Sequence, residues 1–126
     1  MKSNNEGKVF SQYDASFNCY CRMIDFSSPY LDMSPEYGFH FLKFKQSYFN
    51  DLLRSRGYVL LNEVYESLGF EKVDKFENVG WLYREKDPIR DNFVDFGLYN
   101  SINIDAINGE SDIFLLDFNV DGIIRY

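Results

Sequence analysis

The sequence is poor in the parts that small enzymes are built from. It has one histidine, His40, so a multi-histidine metal site and a triad needing a second imidazole are both excluded. It has two cysteines, Cys19 and Cys21, spaced C-x-C. On a strand the two would share one face, which is poor geometry for a disulfide between them, and no second pair exists to complete a zinc site. Reduced thiols in a cytosolic protein are the expectation. Neither phosphate-loop pattern, G-x-x-x-x-G-K-[ST] or G-x-G-x-x-G, occurs, and the eight glycines stand singly. None of the seven glutamates after residue 30 is followed two positions on by lysine, so the E-x-K element of a restriction-type nuclease core is missing. The apolar runs fall far short of the roughly 20 residues that span a membrane. The opening "MKSNNEGKVFSQYD" lacks the apolar core of a signal peptide.

Positive charge is also scarce. Thirteen Lys and Arg face twenty Asp and Glu, for a net charge of −7 and a pI near 4.6. There is no basic run, so direct nucleic-acid binding, which needs cations against phosphates, is not expected. An acidic surface suits basic partners, including proteins that themselves handle nucleic acid, or serves solubility alone.

Aromatic side chains are abundant: 13 Phe, 10 Tyr and one Trp, 19% of the chain. They supply core area first, with an aromatic binding face as the alternative. At 126 residues the chain suits one domain able to bury a core without disulfides or metal. Residues 1–15 are polar and read as a flexible N-terminal arm, with a single α+β domain over 16–126. "SFNCYCRMIDF" (16–26) alternates as a strand, with Phe17, Cys19, Cys21 and Met23 on one face and Asn18, Tyr20, Arg22 and Ile24 on the other. After a two-proline loop, Ser34, Pro35 and Glu36 form a helix start. Phe41, Phe44, Tyr48 and Leu52 then recur at helical spacing in a long helix that ends at Gly57. "YVLL" is a short strand or extended entry, and "NEVYESLG" (62–69) a short helix capped by Asn62. "NVGWLYRE" (78–85), "NFVDFGLYN" (92–100) and "SDIFLLDF" (111–118) change to period two and read as strands. The expected fold is therefore α+β, one long and one short helix packed on an antiparallel β-meander.

"LLDFNVDG" (115–122) contains D-x-N-x-D-G, the first ligand positions of a calcium-binding EF-hand loop. Such a loop needs a bidentate Glu at its twelfth position and helices on both sides. Counted from Asp117 the twelfth position falls beyond Tyr126, and the flanks "IFLLDF" and "IIRY" are strand-like. The stretch is expected to be a turn closing a C-terminal hairpin, with a weak adventitious cation site as the alternative. No metal and no cofactor is expected.

His40 lies in the aromatic stripe of the long helix, where a packed or half-exposed structural role outweighs catalysis or a dyad with Cys19 or Cys21. The carboxylates Asp91, Asp95, Asp105, Asp112, Asp117 and Asp121 crowd the C-terminal half. A solvated rim is the plainer account of them, and metal-assisted hydrolysis the sharper one. Arg84-Glu85-Lys86-Asp87 alternates in sign, as a solvent-exposed strand edge does.

As a set, "LNEVYESLG", "GWLY", "VDFG" and "LDFNVDG" resemble the pattern of a small uncharacterised family from phages and integrative elements of Gram-positive bacteria. The resemblance covers a little over half of the chain and brings no activity and no catalytic residue. It implies a mobile-element protein in the bacterial cytoplasm. The resulting expectation is a non-enzymatic protein-binding domain, an acidic inhibitor of a host-defence or nucleic-acid-handling protein with a basic surface, such as an anti-CRISPR protein. Acidic Asp87, Asp91, Asp95, Asp105, Glu110 and Asp112 would steer the partner, with Trp81 and Tyr83 as anchors. A phage structural or assembly protein that self-associates through exposed aromatic strands is the alternative.

Overall fold

A computed structural model describes residues 19–28 and 35–125. The expected arm (1–15), the first residues of the expected strand and the Ser34 cap lie outside the described residues. The regular elements are β1 (Arg22–Asp25), α1 (Gly38–Arg56), β2 (Tyr58–Leu60), α2 (Leu61–Ser67), β3 (Val79–Leu82), α3 (Ile104–Ile107), β4 (Ile113–Leu116) and β5 (Gly122–Ile123). The fold is mixed, with helices and antiparallel sheets. The strands do not follow one another as a single meander: β1 pairs with β4, and β2, β3 and β5 form a separate sheet in that order. Among the described residues no helix is long and apolar enough to cross a membrane.

The chain divides into two compact units, one holding residues up to Lys43 together with Phe96–Phe118, the other Phe44–Asp95 together with Asn119–Tyr126. In the first, Ile24 lies opposite Phe114 across the β1–β4 pair. Ile24, Phe26, Leu42, Phe96, Phe114 and Phe118 are buried. Met23, expected on one face with Cys21, is half-buried. The strand begins at Arg22, so strict alternation does not reach back to Cys21, and Cys21 and Ile24 are buried together. Phe26 meets Phe41 and Phe114 edge to face, and a side chain at Gly38 would overlap the Phe26 ring. Buried Asn103 does the work of a neighbouring strand along β4. Its Oδ1 accepts the Leu115 N–H at 2.8 Å, and its Nδ2 donates to the Leu115 carbonyl at 2.9 Å and to that of Gly97 at 3.1 Å.

In the second unit α1 buries Phe49 and Leu53 and ends at Gly57, whose φ of +94° suits glycine. Arg56 pairs with Glu63 and lies over the Tyr58 ring, 4.0 Å from its centroid. The hydrogen bonds that Arg56 donates to the Glu63 carboxylate hold the Arg56 pKa above its ordinary value. Helix α2 begins one residue before the expected cap. Asn62 is inside its first turn, and its amide brackets Val73 instead, donating to the carbonyl at 3.0 Å and accepting the N–H at 2.9 Å. The capping contact comes from Glu63, which accepts the Leu60 N–H at 2.9 Å. At Gly80 β2 and β3 approach so closely that any side chain would overlap the Val59 carbonyl.

The strand expected over 92–100 is irregular. Its backbone groups are met in part by backbone, the Asp117 and Asn119 N–H groups donating to the Phe96 and Asp95 carbonyls at 2.9 and 3.2 Å, and in part by side chains. Asn50 accepts the Val94 N–H at 2.7 Å and donates to the Val94 carbonyl at 2.9 Å. Asn119 accepts the Asp95 N–H at 2.7 Å. An asparagine amide offers the same donor–acceptor pair as a peptide group, so Asn50 stands in for a neighbouring strand at Val94.

Candidate functional site

The D-x-N-x-D-G stretch is a knot of internal hydrogen bonds. The Cys21 thiol donates to Asp117 Oδ1 at 3.4 Å. Asn119 uses all its capacity: Oδ1 accepts from Trp81 Nε1 and the Asp95 N–H, both at 2.7 Å, while Nδ2 donates to Asp91 Oδ2 at 2.9 Å and the Phe93 carbonyl at 3.0 Å. Asp121 Oδ2 accepts the Leu82 N–H at 2.9 Å and lies 3.4 Å from Arg90 Nη1. Oxygens that would face a cation thus serve as acceptors for the fold. Among the described residues no group of three or more His, Cys, Asp or Glu is arranged to hold a metal. The expected C-terminal hairpin is corrected as well. β4 and β5 are not partners; the turn leads through Gly122, at φ +108°, to pairing of β5 with β3.

The residues proposed from sequence as a partner surface separate into two groups. Trp81 is 1% exposed and hydrogen-bonded to Asn119, which places it in the core. A large indole whose N–H finds a buried acceptor is a packing element. Tyr83 is half-buried, and its backbone N–H donates to Gly57 at 2.9 Å. Asp87 pairs with Arg90 at 3.0 Å. Asp91 is exposed but accepts from Asn119, and Asp95 is half-buried. All five belong to the second unit. Asp105, Glu110 and Asp112 are exposed residues of the first.

Two features escaped the reading of single motifs. Between Arg90 and Arg125 the sequence has seven carboxylates (Asp91, Asp95, Asp105, Glu110, Asp112, Asp117, Asp121) and no Lys or Arg, while the rest has thirteen acidic and thirteen basic residues. The whole net charge resides there. Within the same stretch large apolar side chains face solvent: Tyr99 is 70% exposed, Ile102 56%, Ile104 57% and Ile113 43%. They alternate along the chain with Asp105, Glu110 and Asp112. The signal in the sequence was the isoleucine–acid alternation of "INIDAINGESDI" inside a base-free stretch.

The first unit also has a cleft of about 510 Å³. Phe26, Phe39 and Phe114 wall one part of it, with Phe39 and Phe114 stacked at 5.7 Å. Glu36, His40, Ser111 and Asp112 supply its polar groups. Ser111 Oγ accepts the Ile113 N–H at 3.1 Å, so it is a turn residue. His40 is exposed, with its ring 6.4 Å from Phe39. The thiol of Cys21 is directed to Asp117. Among the described residues the cleft is lined by apolar walls, two carboxylates and one imidazole, with no Lys or Arg.

The chain belongs to DUF6353, a family of unknown function whose profile matches residues 2–126. No curated protein and no solved structure matches the chain.

Proposed function

We propose that this is a protein-binding domain whose first unit presents an acidic surface studded with apolar side chains to a basic partner. One observation carries the reading: exposed Tyr99, Ile102, Ile104 and Ile113 are interleaved with carboxylates in a stretch that has no compensating cation. A solvated rim has no use for several large apolar groups facing water, whereas an interface uses them as contacts. The carboxylates speed encounter with a basic surface and discriminate against acidic competitors. The sharpest version is a mobile-element protein that inhibits a host-defence or nucleic-acid-handling protein by occupying its basic face, acting in the bacterial cytoplasm. The family resemblance of the "LNEVYESLG" and "LDFNVDG" segments motivates that version. Capture from a bacterial lysate at low and high salt tests it, with the wild type and an Asp105→Lys/Glu110→Lys/Asp112→Lys variant as baits. A basic partner held at low salt, released at high salt and lost by the variant is expected. A partner held equally by both baits at both salts overturns the reading.

Self-association is a second reading, favoured by exposed Phe44 and Tyr48 one turn apart on α1. Among the strand aromatics, Trp81 and Phe114 are buried. Light scattering across a concentration series reads it directly: a discrete oligomer dispersed by Phe44→Ser/Tyr48→Ser supports assembly, and a monomer throughout excludes it.

A further inference from the structure

We infer that the loop over residues 84–93 is a preformed docking loop that seats Ile89 in an uncharged apolar socket of a protein partner. The loop belongs to the second unit, and its role is independent of the acidic surface of the first. Ile89 is 85% exposed, the highest value of any large hydrophobic among the described residues, and Phe93 of the same loop is 46% exposed. A lone surface isoleucine needs no account of its own. What sets this one apart is how the chain around it is held. Two tight turns follow one another: the Asp87 N–H donates to the Arg84 carbonyl at 2.8 Å, and the Arg90 N–H to the Asp87 carbonyl at 3.3 Å. Pro88 and Ile89 are the central residues of the second turn, where aspartate followed by proline is a favoured start. Asp87 braces that turn, Oδ1 accepting the Ile89 N–H at 3.1 Å and Oδ2 accepting from Arg90 Nε at 3.0 Å. Arg90 Nη1 also lies 3.4 Å from Asp121 Oδ2. Asn92 has φ +62°, which among the described residues no other non-glycine shares in sign, and its Oδ1 accepts the Arg84 N–H at 2.7 Å. That bond closes the loop on itself. Asn119 Nδ2 ties the outgoing limb at Asp91 and at the Phe93 carbonyl. The loop carries three basic and three acidic residues, and Asp87, Arg90 and Asp91 are engaged within the fold. Its balanced charge gives a charged partner no preference, whereas an apolar socket gains from burying the isoleucine. A tip already held in shape avoids the ordering cost that a slack loop meets on binding.

Photo-crosslinking with the full chain tests this. A benzophenone side chain replaces exposed Lys86, beside the tip, or exposed Glu77, elsewhere in the second unit, and each probe is irradiated in a bacterial lysate at high salt. The probe at position 86 is expected to form one adduct that the probe at 77 does not. Unlabelled wild type is expected to compete for it, and Ile89→Ser to compete about tenfold or more weakly. Asn92→Gly keeps Ile89 and every charge, and removes only the acceptor that closes the loop. It is expected to compete about fivefold more weakly, because the freed loop must be ordered on binding. Melting temperature establishes that both variants are folded, and amide exchange at Arg84, faster in Asn92→Gly, establishes that the loop has been released. Mere stickiness of an exposed isoleucine would not depend on Asn92. Ile89→Ser or Asn92→Gly competing as well as wild type would overturn the inference, as would the same adduct from position 77 or no adduct from position 86. An adduct between two copies of the chain, abolished by Ile89→Ser, would overturn it in favour of self-association. Wild type sedimenting with phosphatidylcholine–phosphatidylglycerol vesicles, where Ile89→Ser does not, would overturn it in favour of a lipid surface. An adduct that persists with Asp105→Lys/Glu110→Lys/Asp112→Lys but is lost with Ile89→Ser belongs to this loop, so the failure of the acidic-surface reading and the failure of this one are distinguishable.

Discussion

The indole N–H of Trp81 donates to Asn119 Oδ1 at 2.7 Å, and that same oxygen accepts the backbone N–H of Asp95. One side chain from the acidic C-terminal loop therefore holds β3 and the irregular segment before Phe96 in place. Asn119→Ala leaves both N–H groups without an acceptor, at a cost of about 2–4 kcal/mol. Urea unfolding followed by Trp81 fluorescence measures it. Asn119→Asp keeps the acceptor but sets a carboxylate beside Asp91, so a smaller loss is expected. Equal losses would show that the Asn119 oxygen is not what matters.

Gly80 separates two reasons for glycine. A methyl group there would overlap the Val59 carbonyl, and backbone cannot yield as a side-chain tip can. Gly80→Ala is expected to destabilise by more than about 2 kcal/mol by forcing β2 and β3 apart. Gly57 has open space around its Cβ position but a φ of +94°. Gly57→Ala is expected to lose only the conformational cost, about 1–2 kcal/mol. Denaturation midpoints of the two variants give the comparison, and a smaller loss at Gly80 would contradict the close approach.

Cys19 is exposed and Cys21 is buried. In native protein a thiol reagent is expected to label one site quickly and the second only on the timescale of opening, since the reacting thiolate must be reached. Mass spectrometry of the labelled peptide counts the adducts. Rapid double labelling without denaturant would show that the Cys21 thiol is not held against Asp117.

The long helix, the short helix after it and three of the strands were legible because each has a period and a stop signal of its own. Gly57 closes α1 and Gly69 follows α2, as the sequence suggests. The pairing of strands was not legible. "SDIFLLDF" and "GII" look like two arms of a hairpin around "NVDG", yet each pairs with a strand distant in sequence, Arg22–Asp25 and Val79–Leu82 respectively. Period two identifies a strand but does not choose its neighbour. "NFVDFGLYN" failed for a different reason. Its alternation is real, but the Asn50 side chain takes both backbone groups of Val94 and the Asn119 side chain the N–H of Asp95, and no local pattern marks an asparagine distant in sequence as the partner. In the acidic motif, read as a turn rather than a calcium loop, Asn119 Oδ1 and Asp121 Oδ2 accept the chain's own N–H groups. Of the proposed partner surface, Asp105, Glu110 and Asp112 stand at exposed positions, while Trp81 shows why an aromatic in an apolar strand is a poor anchor to choose from sequence.

Asn103 supports the face on which the proposed interface depends. It is 1% exposed, and its amide occupies both the donor and the acceptor of Leu115 on the side of β4 turned away from β1. Asn103→Ala removes these bonds at once and leaves Leu115 with an unpaired N–H and carbonyl. A loss of about 3 kcal/mol is expected. An uncovered strand edge also templates pairing with other chains, so the variant is expected to aggregate on heating where the wild type does not. Asn103→Asp tests the cause: it restores the acceptor for the Leu115 N–H but supplies no donor, and it brings a charge into a buried site, so it is expected to be no more stable than Asn103→Ala. Thermal melts with light scattering separate the two effects. If Asn103→Ala melts within about 0.5 kcal/mol of wild type and stays monomeric, the amide is not the cover of the β4 edge.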